Sequence, residues 1–237
     1  MKALRAVLSL ATLFPLACGG GDKPVKAPTE IEEQDDGPGT GTQLDVSAEV
    51  GALDEGKVTK VFEKSIKELQ GCLGQGARRV EFIGGGVAFF VKVDQSGRVS
   101  HAHLERSTIG DRDTEKCMLG VLQSKEWPAP VGGKVGIARN SFDFDPPNDV
   151  RPAEEWSADK VSETLDAKRS EISQCKSSAP GSYEVTLYVK TDGRALAVGV
   201  TPPDERGEAA VDCLVETLMG AEFPKPGSWP AKVSFSL

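Results

Sequence analysis

Histidine is almost missing from this chain: 237 residues hold only His101 and His103. Two imidazoles at that spacing on a strand share a face, but metal sites generally take three or four ligands and no third is in view. No metal and no cofactor is expected, and the pair reads as exposed strand histidines. Long apolar runs are also missing. The one candidate, Ala6 to Leu16, falls short of the roughly 20 residues that a bilayer-spanning helix needs. Basic charge is outweighed, with 28 Lys and Arg against 36 Asp and Glu and a net charge of −8. Nucleic acid, which calls for a clustered basic face, is thereby excluded as a partner. Catalytic signatures are absent too: there is no Gly-x-Ser-x-Gly, no phosphate-binding loop and no zinc-binding His pair on a helix. The chain is not expected to be an enzyme or to take a small-molecule substrate.

What is present begins with a processing signal over residues 1–18. Lys2 and Arg5 precede the apolar run, and Ala17-Cys18 follows it. The stretch Leu16-Ala17-Cys18-Gly19 resembles the lipobox of bacterial lipoproteins. That resemblance implies lipid on Cys18, a membrane anchor, and a place in the cell envelope facing the periplasm. Under the enterobacterial sorting pattern, Gly19 after Cys18 implies the outer membrane.

Residues 19–56 hold ten acidic residues and two lysines, with abundant Gly, Pro and Thr and few large apolar residues. Such a segment buries too little surface to fold and reads as a flexible acidic tether. About 35 residues of coil span some 35 Å on average, and roughly 120 Å at full stretch.

The remainder reads as an internal repeat, residues 57–150 and 151–237. Phe90-Val91-Lys92-Val93-Asp94 matches Tyr188-Val189-Lys190-Thr191-Asp192, and Gly97-Arg98 matches Gly193-Arg194. Cys117 with Trp127-Pro128-Ala129-Pro130 matches Cys213 with Phe223-Pro224-Lys225-Pro226. Val58, Val61, Phe62, Ile66, Leu69, Cys72 and Leu73 recur at helical spacing, and Val161, Leu165, Ile172 and Cys175 repeat this more weakly. Alternation then marks a hairpin in each copy. Val87, Phe89, Val91 and Val93 face Ser100, Ala102 and Leu104; Tyr183, Val185, Leu187 and Val189 face Leu196, Val198 and Val200. A second helix bearing Cys117 or Cys213 follows and ends at the Pro-x-Pro corner. Closing strands run over Lys134–Arg139 and Lys232–Leu237.

The expected fold class is α+β, with each module reading α-β-β-α-β: a three-stranded antiparallel sheet with both helices on one face. If Cys18 carries lipid, Cys72, Cys117, Cys175 and Cys213 remain as an even set in an exported chain, where disulfides persist. The helices share a face within each module, so Cys72 with Cys117 and Cys175 with Cys213 is the natural pairing.

The hairpin ending Leu104-Glu105-Arg106-Ser107-Thr108, the helix with Cys117, and Trp127-Pro128-Ala129-Pro130-Val131-Gly132-Gly133 before a last strand resemble the TonB-type C-terminal domain. The version most similar is that of myxobacterial gliding-motility proteins (AgmX/PglI type). The resemblance covers about 57–145, and 158–237 in weaker form. It implies a periplasmic domain that binds an envelope protein through sheet edges or faces, within a trans-envelope or motility assembly. The chain has neither the membrane helix nor the proline-rich rod of an energy transducer. The expectation is therefore a non-enzymatic adaptor lipoprotein, with a structural or cell-wall spacer as the alternative. Candidate partner contacts are the outward aromatics Phe90 and Tyr188, read either as lining a contact, between modules or with a partner, or as cover for neighbouring side chains, and the closing strands at Lys134 and Lys232. Trp127 and Phe223 read as core plugs.

Overall fold

The computed structural model describes residues 48–237, so the signal, Cys18 and most of the expected tether lie outside the described residues. In chain order the elements are β1 (Ala48–Val50), α1 (Glu55–Gly76), β2 (Gly85–Asp94), β3 (Val99–Ser107), α2 (Arg112–Gln123), β4 (Gly133–Phe144), β5 (Glu154–Trp156), α3 (Ser162–Ala167), α4 (Arg169–Cys175), β6 (Glu184–Val189), β7 (Ala195–Thr201), α5 (Glu208–Met219) and β8 (Ala231–Ser236). They build a mixed α+β structure with two four-stranded sheets, ordered β1-β4-β2-β3 and β5-β8-β6-β7.

Each sheet contains the expected antiparallel trio. A short strand is added at one edge, β1 parallel to β4 and β5 parallel to β8. β1 and the N-cap Asp54, whose carboxylate accepts from the Lys57 amide at 2.9 Å, lie inside the span expected to be tether. The close β1–β4 approach depends on glycine. A Cβ on Gly133 would come within 2.2 Å of the Gly51 nitrogen.

Alternation sets the cores. Val87, Phe89, Val91 and Val93 are fully buried in a core with α1 and α2, and Leu187 and Val189 of β6, with Tyr183 just before it, are fully buried in a second core with α4 and α5. Ser100 and Leu196, expected to face inward, do not. A bulge pairs Lys92 with His101 but Val93 with Val99, and the same bulge pairs Tyr188 with Ala197 but Val189 with Ala195. The extra residue in each second strand puts Ser100 and Leu196 on the outer side.

Those registers also correct the alignment of the halves. The two hairpins share one register, bulge included, under a shift of 96 residues, which sets Tyr188 against Lys92, and Thr186 against Phe90. Gly97 and Gly193, at φ 79° and 90°, each accept a hydrogen bond from the residue before the Pro-x-Pro corner, Trp127 or Phe223. Both aromatics are buried, and the Trp127 indole donates to the Leu122 carbonyl at 3.1 Å.

Disulfides join Cys72 to Cys117 and Cys175 to Cys213, with Cα separations of 5.7 and 5.6 Å. Closing loops of 45 and 38 residues, each is worth about 4 kcal/mol in the chain-entropy account.

Two further differences have local causes. The helix expected over Val161–Cys175 is broken at Lys168 into α3 and α4, because Asp166 to Ser170 offers no apolar residue between Leu165 and Ile172 except Ala167. β4 runs on to Phe144, since Phe142 and Phe144 continue the alternation and pair with Val87 and Gly85. No helix among the described residues is long and apolar enough to cross a membrane.

Candidate functional site

The outer faces of the two sheets meet. The segment from Ser107 to Glu115, between β3 and the start of α2, sits on the outer face of β6 and β7. A Cβ on Gly110 would touch Thr186 and Tyr188 at about 3 Å, and one on Gly199 would fall 2.4 Å from a Glu115 carboxylate oxygen. On the other side Glu205, just before α5, reaches the first sheet. It lies 3.5 Å from the Lys92 ammonium and 3.8 Å from His101 Nδ1.

This junction accounts for several candidate residues. Tyr188 is 1% exposed, packed against Phe82 with ring centroids 5.5 Å apart. Burial raises its phenol well above the usual range. It packs in the contact between the halves, against Gly110 and Phe82. Lys232 lies over the Tyr188 ring and donates to the Gly84 carbonyl at 2.9 Å, and burial lowers its pKa. Neither group is free for a partner. Phe90 is half-buried, stacked on His103 at 4.7 Å with the Arg139 guanidinium 4.8 Å over its ring.

The histidines need correcting. His103 is 6% exposed rather than open to solvent, because Phe90 stacks on its ring and the second half packs over that face. Its Nδ1 lies 3.1 Å from His101 Nε2. Burial, then the neighbouring His101, pushes its pKa down. Among the described residues no group of three or more His, Cys, Asp or Glu side chains is placed to hold a metal.

An unpaired surface remains along β4. Lys134 itself lies where β1 already covers the strand, between Ala48↔Gly133 and Val50↔Val135. The Gly51 amide donates to the Val135 carbonyl at 2.7 Å, so Val135 directs its backbone groups away from β2. Alternation sends those of Ile137, Arg139, Ser141 and Asp143 the same way. Among the described residues no strand pairs with β4 on that side beyond Val135. These four residues line the open edge, where the Ser141 amide already donates to Asn140 Oδ1 at 2.8 Å. An open groove of about 510 Å³ adjoins its start, lined by Val50, Leu53, Val58, Thr59, Ile137 and Arg139 among others. Val50 is 53% exposed there. β8 offers less, since β5 covers Ala231 to Val233 and only Ser234 and Ser236 direct groups outward beyond it.

No family model, no curated protein and no solved structure matches the chain.

Reading the sequence strand by strand misses the charged groups of the junction. Arg112, 10% exposed at its side chain, donates to Glu208 at 2.7 Å and to Asp212 at 2.9 Å, and Lys116 donates to Asp212 at 3.0 Å. Glu115 is fully buried; the Ser107 hydroxyl donates to one carboxylate oxygen at 2.6 Å, and the other has no protein partner. Burial pushes this carboxyl up to about 7. The signal for the first group is in the sequence: residues 96 apart carry opposite charge.

Proposed function

We propose that the chain is an envelope lipoprotein carrying two copies of one TonB-like module on an acidic tether, and that it works as a protein–protein adaptor. The observation that carries this reading is the open edge of β4 from Ile137 to Asp143. An exposed row of backbone donors and acceptors is a template for an added strand, and most proteins cover or shorten such rows. Here the two-residue repeat of outward groups has room for a partner segment of seven or so residues, and the groove beside Val50 and Val58, which Glu55, Thr59 and Arg139 also line, supplies a recess of mixed character at one end. The buried junction fixes the halves against each other, so the edge is presented on a supported sheet. Cys18 would bring lipid, and the tether would give reach from the membrane.

The test is in-cell photocrosslinking from Ser141, with Tyr188 as the buried control, in the chain as expressed. One recurrent envelope protein captured from Ser141 but not from Tyr188 supports the adaptor. Asp143→Pro, further along the same edge from the probe, removes an outward amide while leaving the β2–β4 ladder intact, and it should abolish that capture at unchanged thermal stability. Diffuse background from Ser141, or capture that survives the proline, overturns strand addition and leaves the structural spacer as the better reading.

A further inference from the structure

The contacts across the junction have a symmetry that the sequence hides. Under the shift of 96 residues, Arg112 corresponds to Glu208 and Lys116 to Asp212. These same pairs bridge the halves, Arg112 to Glu208 at 2.7 Å and Lys116 to Asp212 at 3.0 Å. A residue meets its own equivalent only on or beside a two-fold axis. The rest of the junction agrees. β3 lies against its counterpart β7, and Ile109 corresponds to Glu205. The segment Ile109–Gly110 covers Tyr188 and Thr186, while Glu205 covers Lys92 near Phe90, which are the corresponding positions of the other sheet. The halves thus meet as two subunits of an isologous dimer would, within one chain.

In such a contact between identical modules, position 112 would face another 112. Two first halves would set Arg112 against Arg112 and Lys116 against Lys116; two second halves would set Glu208 against Glu208 and Asp212 against Asp212. Only the mixed pair places opposite charges together, and it does so where Arg112 is largely removed from water. Like charges held close in a desolvated contact strongly disfavour it, and this is how interfaces reject wrong partners. We infer that Arg112, Lys116, Glu208 and Asp212 are a charge code on a two-fold pairing surface, which makes each first half select a second half and refuse a copy of itself. The inference rests on the two-copy reading, but it does not need the β4 edge to bind anything.

The fitting partner for either half is therefore the other half of this same chain, or that of a second copy if the code is rewritten. The segment between β4 and β5, residues 145–153, can extend about 30 Å, enough to let halves exchange between chains. The test uses three full-chain variants bearing two different tags. Arg112→Glu with Lys116→Glu makes both surfaces acidic. Glu208→Lys with Asp212→Lys makes both basic. The third carries all four reversals.

Each two-site variant alone should show at least tenfold faster protease cleavage within residues 145–153, with both disulfides and the far-ultraviolet spectrum retained. Co-expressed, the acidic and basic variants should copurify as a one-to-one complex with cleavage slowed again, because each first half then finds a complementary second half on the other chain. The four-site variant should be a compact monomer cleaved like the original. Cleavage unchanged in the two-site variants overturns the code. So does a four-site variant as labile as the two-site ones, since that assigns the effect to local packing. Equal self-association by each variant alone overturns the selectivity. Crosslinking from Ser141 reads the adaptor separately, so the two proposals fail independently.

Discussion

The buried carboxyl of Glu115 sets a pH dependence that can be worked out in advance. Its side chain is fully buried, one oxygen accepts from the Ser107 hydroxyl at 2.6 Å, and the other oxygen has no partner within the protein. Loss of hydration is the dominant influence and raises the pKa; the Ser107 hydrogen bond and the nearby Arg112 guanidinium pull it down, and Asp111 adds to the rise. The outcome is a shift from an ordinary 4.5 to about 7. Between those two values the folded chain holds a proton that the unfolded chain releases. Stability from this group is therefore complete below about pH 4.5 and is lost as the pH rises toward and past 7. At 1.36 kcal/mol per unit, the loss is about 3 kcal/mol. Urea unfolding of the parent chain and of Glu115→Gln, compared at about pH 4.5, 6, 7 and 8, isolates the term, because other titrating groups cancel in the difference. The parent should lose about 3 kcal/mol against the variant across that range, most of it below pH 7. A difference flat to within about 0.5 kcal/mol would show that Glu115 ionises as an exposed acid does, and would refute a tightly closed junction.

Two further tests address the packing around that carboxyl and the staples beneath it. Gly199→Ala would place a Cβ 2.4 Å from the Glu115 oxygen and 2.9 Å from the Gly110 Cα, a backbone atom with little freedom to retreat. Thermal unfolding should report a loss of roughly 1–3 kcal/mol, and unchanged stability would mean that the sheets do not approach as described. Replacing Cys72 and Cys117 together with serine should cost about 4 kcal/mol in denaturant unfolding, while leaving the Cys175–Cys213 bridge intact by thiol titration.

The sequence revealed the core more readily than the junction, and the reason is periodicity. Because side chains alternate with a period of two, matching Phe90 to Tyr188 rather than to Thr186 slips the alignment by two residues yet leaves every strand residue on the correct face. The bulges do not share that tolerance, and Ser100 and Leu196 were misplaced by them. β1 and β5 are three residues each, too short to carry an alternation signal. Burial of His103 depends on a sheet from the other half, which no local pattern reports. A clue was available nonetheless. Ala197 and Gly199 stand where the first half has His101 and His103, and small residues on an outward strand face mark a close approach of other backbone. The pairing of Arg112 with Glu208 likewise needed the correct shift before it could be noticed.

The two halves use a shared framework unequally, and the inequality follows from how much of each sheet is covered. The second sheet has its outer face filled by Ile109, Gly110 and Glu115, and its closing strand is six residues long with half of that length paired to β5. The first sheet keeps a twelve-residue closing strand of which β1 pairs only the first three residues. A segment added along the rest would meet the groove of Val50, Leu53 and Val58 at the Ile137 end and exposed Ser141 and Asp143 further on. If a partner strand is added there, as proposed, it would be largely polar, since an unbroken apolar strand would leave its far half facing water. On the proposed reading, then, the second half acts mainly as a brace. It holds the first sheet rigid through the junction, and the cost of ordering a partner strand falls on the partner rather than on the edge that receives it.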